Sequence, residues 1–155
     1  MKKKIDVKII DPRIGKEFPF LKYETTGSSA LDLRACCKKM EILKYKETIL
    51  IPTGVSIYIS DPLITGMVFP RSGLSHKYGI ILSNSIGLID SDYQGELMLS
   101  IYNRNKNFSF FIKPGMRIAQ ISFFNIIRPV FNIVSDFKDS NSERGICGFG
   151  HTGYL

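Results

Sequence analysis

The chain is 155 residues long, carries a net charge of +7, and is 44% apolar and 23% charged. That length suits one domain with a real core, and the composition excludes a mainly disordered chain. No apolar run approaches the roughly 20 residues that a membrane-spanning helix needs.

The positive balance admits a polyanion as partner. The lysines are spread along the chain, however, and Lys, Ile and Asn are abundant together, as A/T-rich coding would produce. Neither nucleic acid nor a membrane is therefore expected as a partner. Cys36, Cys37 and Cys147 are an odd number with two adjacent, which is no disulfide framework. Free thiols fit a reducing compartment, so a cytoplasmic location is expected. The basic start, Lys2 to Lys4, leads into Ile5-Asp6-Val7-Lys8 rather than an apolar stretch, so no secretory signal is expected. With only His76 and His151, and no C-x-x-C or H-x-x-x-H spacing, neither is a structural zinc site.

In chain order, Ile5-Asp6-Val7-Lys8-Ile9 alternates apolar and polar residues, the period of a half-buried strand. Ala30 to Ala35 is a strand-like run interrupted by the single acid Asp32. Further strands are predicted over 48–51, 55–59, 67–69, 80–82, 97–102, 108–112, 118–124 and 130–134, many of them β-branched or aromatic. Turns are predicted at Pro52-Thr53-Gly54, Asp61-Pro62, 91–95 and Pro114-Gly115. A single helical turn is expected near 73–78. Short strands with a turn about every ten residues predict an all-β sandwich or barrel. One β domain is expected over 1–138, followed by a flexible, glycine-rich tail over 139–155.

Five segments carry candidate chemistry. Gly87 to Leu97 sets two acids and a tyrosine in a turn. Asp92 reads as a turn former, whereas Asp90 follows Leu88-Ile89 at a strand end, where a carboxylate can take a proton from water. Pro70-Arg71-Ser72-Gly73 ends one strand and opens the helical turn, offering a guanidinium fork and backbone N–H groups to phosphate. Pro114 to Gln120 repeats the idea with Arg117, more weakly. The tail from Arg144 to Gly153 holds an arginine, a hydroxyl and glycine-flanked donors, the parts of an anion cradle, and strands Phe149 among glycines. Asp32 needs a partner if half buried: an ion pair or hydrogen bond, or a hard cation such as Mg²⁺, directly or through water.

In this order the segments resemble the motifs of the trimeric dUTPases of bacterial type. The resemblance runs from Ile5 to Gly153. Arg-Ser-Gly-Leu, Gly-Leu-Ile-Asp-x-Asp-Tyr-x-Gly and Arg-Gly-x-x-Gly-Phe-Gly-x-Thr-Gly together carry it. It implies a jelly-roll-like distorted β-barrel and a homotrimer with shared active sites. It also implies hydrolysis of dUTP to dUMP and pyrophosphate with Mg²⁺, which lowers dUTP and supplies dUMP for thymidylate synthesis. Residue by residue, Asp90 matches the acid that activates water, and Tyr93 the ring under the deoxyribose. Asn84 matches the residue that reads uracil. Arg71, Ser72, Gly73 and Gln120 match phosphate contacts. Arg144 and Thr152 match γ-phosphate contacts of the tail, and Phe149 its lid over the base. Asp32 matches an acid that holds Mg²⁺ through ordered water, the metal riding mainly on the triphosphate. Cys147 stands where that family usually has glycine, a strained choice if the backbone there needs positive φ. A dCTP deaminase of the same fold, or a non-catalytic jelly-roll module, is a weaker match to this residue set.

Overall fold

The structure is a computed structural model that describes residues 3–137, 142, 144–148 and 151. Its elements are β1 (Asp6–Ile9), β2 (Leu31–Arg34), β3 (Glu41–Leu43), β4 (Thr48–Tyr58), β5 (Ile64–Pro70), α1 (Ser72–Tyr78), β6 (Ile80–Leu82), β7 (Gly87–Ile89), β8 (Glu96–Asn103), β9 (Phe110–Ile112) and β10 (Arg117–Asn125). Two four-stranded sheets run in the orders β1-β4-β8-β6 and β2-β10-β5-β7, and β3 pairs with β9 apart from them. Every one of these pairings is antiparallel. The expected jelly-roll-like β fold is the one observed.

Alternation builds the layers. In β8, Leu97, Leu99, Ile101 and Asn103 are buried while Met98, Ser100 and Tyr102 lie on the other face. Ile51, Val55 and Ile57 of β4 join them, and Leu33, Val68, Ile118 and Ile121 bring in the second sheet. No buried side-chain nitrogen or oxygen among the described residues lacks a hydrogen-bond partner. No helix among them is long and apolar enough to cross a membrane.

Several expectations shift. The two predicted strands at 48–51 and 55–59 are one 11-residue strand, and Pro52-Thr53-Gly54 is a bulge in it rather than a turn. The register with β8 slips between Pro52 and Ser56, because proline has no N–H for the ladder. Gly54 takes φ +73° there, where an added Cβ would meet the Cys36 sulfur at 2.7 Å. The predicted strand at 130–134 does not form. Val130 and Ile133 are each 96% exposed, and Pro129 precedes them with no donor to give. The helical turn is present as α1. The short strands β3 and β7 were too brief to show a period.

The N-terminal segment is pinned by one bidentate pair. Arg13 donates to Asp11 from Nε at 3.0 Å and from Nη2 at 2.6 Å, and to the carbonyls of Cys36 and Cys37 at 2.8 and 3.1 Å. Its Cζ lies 5.0 Å from the centre of the Phe18 ring. Burial pushes the Cys36 thiol up to about 11, so both buried thiols stay protonated and inert at neutral pH.

The Arg13 hydrogen bonds hold the Asp11 carboxyl below its ordinary range. A lowered pKa in the folded state means stability that is present above the unfolded value, near 3.8, and lost as pH falls through the folded one. Denaturant melts of the native chain and of Asp11→Asn should therefore differ at pH 7 and converge below about pH 4. A constant difference down to pH 2 would remove this pair from the acid response.

Candidate active site

The candidate phosphate end is built on three neighbouring strands. β10 lies between β2 and β5, and Gln120 faces Asp32 on one side and Phe69 on the other. Arg71 leaves the end of β5, and its Nε lies 2.9 Å from Asp32 Oδ1. Arg117 Nη1 donates to Asp32 Oδ2 at 3.1 Å. Arg71 Nη1 also donates to the carbonyl of Arg117 at 3.2 Å. Gln120 Nε2 donates to the carbonyl of Pro70 at 3.3 Å, closing the group. The Asp32 side chain is 15% exposed, against 30% for Arg71 and 42% for Arg117. One half-buried carboxylate thus aligns two more exposed cations. The partner that Asp32 needs is this pair of arginines.

Ser72 and Gly73 open α1 beside Arg71, and both are exposed. A Cβ at Gly73 would meet nothing within 4 Å, so packing within the chain does not demand glycine there. The open face suits a ligand that approaches the backbone closely. No three His, Cys, Asp or Glu side chains converge on a possible metal position among the described residues. Asp32 Oδ2 accepts one hydrogen bond from Arg117, and the carboxylate keeps further acceptor sites. The donor set fits a contact to Mg²⁺ through water and does not fit a resident metal cage.

The acid end lies elsewhere. Asp90 follows β7 and is exposed, and no described residue hydrogen-bonds to or pairs with its carboxylate. Its neighbours are fixed on both sides. Thr65 Oγ1 donates to the carbonyl of Ile89 at 3.0 Å, and the Ser60 N–H donates to the carbonyl of Ser91 at 2.8 Å. Beyond it, Ser56 Oγ donates to the carbonyl of Gln94 at 2.6 Å, and Glu96 Oε1 accepts from the N–H of Gly54 at 2.7 Å. The β4 bulge therefore anchors the loop that carries Tyr93. Tyr93 donates its hydroxyl to the carbonyl of Glu96 at 2.9 Å and lies back over Gly95, where any Cβ would overlap the hydroxyl. An open depression of about 390 Å³ is lined by Leu88, Asp90, Tyr93 and Met98 among others. Asn84 sits exposed in the β6–β7 turn. Ser60, Thr65, Ser56 and Glu96 were missed as supports because each works through the backbone of a distant segment.

The two ends do not meet within one chain. Ile89 pairs with Gly66, whereas Arg71 follows Pro70 at the far end of the same strand. At about 3.3 Å per residue, Asp90 and Arg71 are roughly 15–20 Å apart along β5. Arg144 folds on its own loop, donating from Nε to the carbonyl of Cys147 at 3.0 Å and from Nη2 to that of Gly148 at 3.4 Å. Gly145, not Cys147, takes positive φ in this loop. Phe149 and Thr152 lie outside the described residues.

A family model described as dUTPase matches residues 16–153. A deoxyuridine 5'-triphosphate nucleotidohydrolase of Escherichia coli O7:K1 is 56% identical over 151 residues, covering 97% of this chain and 98% of its own length. One from Buchnera aphidicola subsp. Baizongia pistaciae is 57% identical over 152 residues, with coverage of 97% and 98%. Among solved structures, the dUTPase of Staphylococcus bacteriophage 80alpha with dUPNHPP matches with a TM-score of 0.83 at 24% identity, covering 99% of this chain and 100% of that one. A mutant dUTPase of phage phi11 of S. aureus, described with a structural Mg(II) ion, matches with a TM-score of 0.75 at 19% identity, covering 88% and 100%. These two share the fold with this chain.

Asp32→Asn should lower stability by about 1–2 kcal/mol in low salt and by less at 1 M salt, because the pair is partly exposed and screened. Urea unfolding at the two salt concentrations measures this. A stability loss independent of salt would mean that Asp32 acts by packing and not by charge.

Proposed function

The chain belongs to the dUTPase family, and we propose that it hydrolyses dUTP to dUMP and pyrophosphate. The observation that carries the reading is near-full-length identity above one half to named dUTP nucleotidohydrolases, with a braced carboxylate at Asp90 that no described residue pairs with.

In this reading the substrate is the Mg²⁺ chelate of dUTP, and a metal carried on the triphosphate would supply charge neutralisation there. Asp90 accepts a proton from the water that attacks the α-phosphorus in line with that leaving group. Its flanking carbonyls are tied to Thr65 and Ser60, so the carboxylate is held in place without losing its own acceptor sites. The Tyr93 ring, fixed at its hydroxyl, forms a flat floor for the deoxyribose and leaves no room for a 2′-hydroxyl. Asn84 reads the uracil edge. Arg71, Ser72, Gly73 and Gln120 hold the phosphates, and Asp32 aims Arg71 while reaching Mg²⁺ only through water. Charge placed in advance stabilises the transition state, and no covalent intermediate is needed. Arg144, Phe149 and Thr152 of the 139–155 segment close over the substrate from a neighbouring chain, completing the body formed by residues 1–138. A cytoplasmic location fits the unpaired thiols Cys36 and Cys37.

The active unit is a homotrimer whose sites lie between subunits. The separation of Asp90 from Arg71 along β5 supports this, since a triphosphate cannot bridge it. So does the row of bare apolar side chains at Ile127, Val130, Phe131 and Ile133, the least of them 87% exposed in the isolated chain.

Two variants test the site together. Asp90→Asn should fold and bind dUTP while turnover falls by about 10²–10⁴-fold. Arg71→Ala should also be poor, through weakened phosphate binding. If the two residues serve one site from different subunits, random 1:1 mixed trimers bring intact copies together in about one site in four. Pyrophosphate release should then return to about that fraction of the native rate. No recovery on mixing would place both residues in one subunit's site, and an undiminished Asp90→Asn would remove the proposed base.

A further inference from the structure

Three loops that are distant in sequence converge at one end of the β1-β4-β8-β6 sheet. The fully buried Asn103 ties them, donating from Nδ2 to the carbonyls of Leu43 at 3.0 Å and Phe108 at 3.1 Å while its Oδ1 accepts from the Asn105 N–H at 2.8 Å. The Lys46 N–H donates to the carbonyl of Asn103 at 2.8 Å, and the Arg104 N–H to that of Gly79 at 3.1 Å. Segments 44–47, 75–79 and 103–108 thereby form one surface.

That surface gathers cations. Lys44, Lys46, Lys77, Arg104 and Lys106 are all exposed on it. Its one acid is Glu47, whose carboxylate accepts from the Lys44 N–H at 2.8 Å. None of the five cations forms an ion pair among the described residues. Lysines that look scattered along the chain are clustered in space. Partly exposed aromatic rings are interleaved with them: Tyr45, Tyr78 and Phe108 are 45%, 43% and 39% exposed. Lys46 Nζ lies 5.4 Å from the Tyr45 ring centre, and the Tyr78 and Phe108 rings meet edge to face at 6.2 Å. None of these residues has a part in the hydrolytic site.

We propose that this end of the sheet is a second binding surface and that its ligand is single-stranded nucleic acid. Unpaired Lys and Arg side chains neutralise successive phosphates and release counterions. Flat exposed rings offer stacking platforms to bases, which only a single strand leaves free. A surface serving phosphates alone has no use for three partly exposed rings, and one serving an apolar partner has none for five unpaired cations.

The test is fluorescence anisotropy of a labelled oligothymidylate titrated with the full-length protein at several salt concentrations. Binding should weaken steadily between about 50 and 200 mM salt, with a log–log slope of about 0.7 per phosphate contacted. The triple variant Lys46→Glu, Lys77→Glu, Lys106→Glu should lose at least about tenfold in affinity while dUTP turnover and melting temperature stay unchanged. The Lys→Gln triple should show a smaller loss of the same sign. Tyr45→Ala should lose about fivefold or more at constant salt slope. Any one of four results would overturn the proposal: no salt-dependent binding, displacement by a non-hydrolysable dUTP analogue, an equal loss in a Lys8→Glu, Lys16→Glu, Lys22→Glu control, or equal affinity for inorganic polyphosphate with no effect of Tyr45→Ala.

Discussion

Asp32 sits 15% exposed between the guanidinium groups of Arg71 and Arg117, and the proposed phosphate site is arranged around that contact. Two arginines brought this close repel each other, and a carboxylate held between them removes the repulsion while leaving a net positive charge for an anion. The same carboxylate joins β2, β5 and β10, so the relative position of three strands is coupled to the aim of the phosphate-binding side chain. The carboxylate is 15% exposed and the two guanidinium groups 30% and 42%, so the contact is partly screened by water and salt. The proposed phosphate site and the sheet geometry therefore depend on one interaction.

The acid end obeys a different constraint. Asp90 must be fixed in position and yet keep its oxygens free for water. The chain solves this by bonding the carbonyls of Ile89 and Ser91 instead of the carboxylate. The β4 bulge at Pro52-Thr53-Gly54 extends the same device to the Tyr93 loop through Ser56 and Glu96. Because β5 sets the two ends apart, neither is useful alone. The separation of the two halves along β5 is what the proposed sharing of sites between copies rests on.

Residues whose chemistry is local were legible in the sequence. Asp32 drew notice as one acid in an apolar strand-like run, and Asp90 as a carboxylate at a strand end. Arg71 stood out before a helical turn, and α1 formed there. What was hidden depends on partners far along the chain. Nothing near Asp32 announces Arg117, and nothing near Ile89 announces Thr65. Pro52-Thr53-Gly54 has turn composition but lies inside a long strand, because the flanking apolar residues are claimed by the core on both sides. The 130–134 run has strand composition but finds no ladder among the described residues. The clustering of lysines around Asn103 was invisible for the same reason.

The proposed site is expected to select and cleave deoxyuridine triphosphate. Pyrophosphate release with Mg²⁺, compared across dUTP, dTTP, dCTP and UTP, tests it most directly. Rapid release from dUTP alone is predicted, since in the proposed roles Asn84 and its hairpin admit uracil without a 5-methyl and Tyr93 leaves no space for a 2′-hydroxyl. Comparable release from UTP or dTTP, or none from dUTP by a folded protein that binds it, would contradict the account.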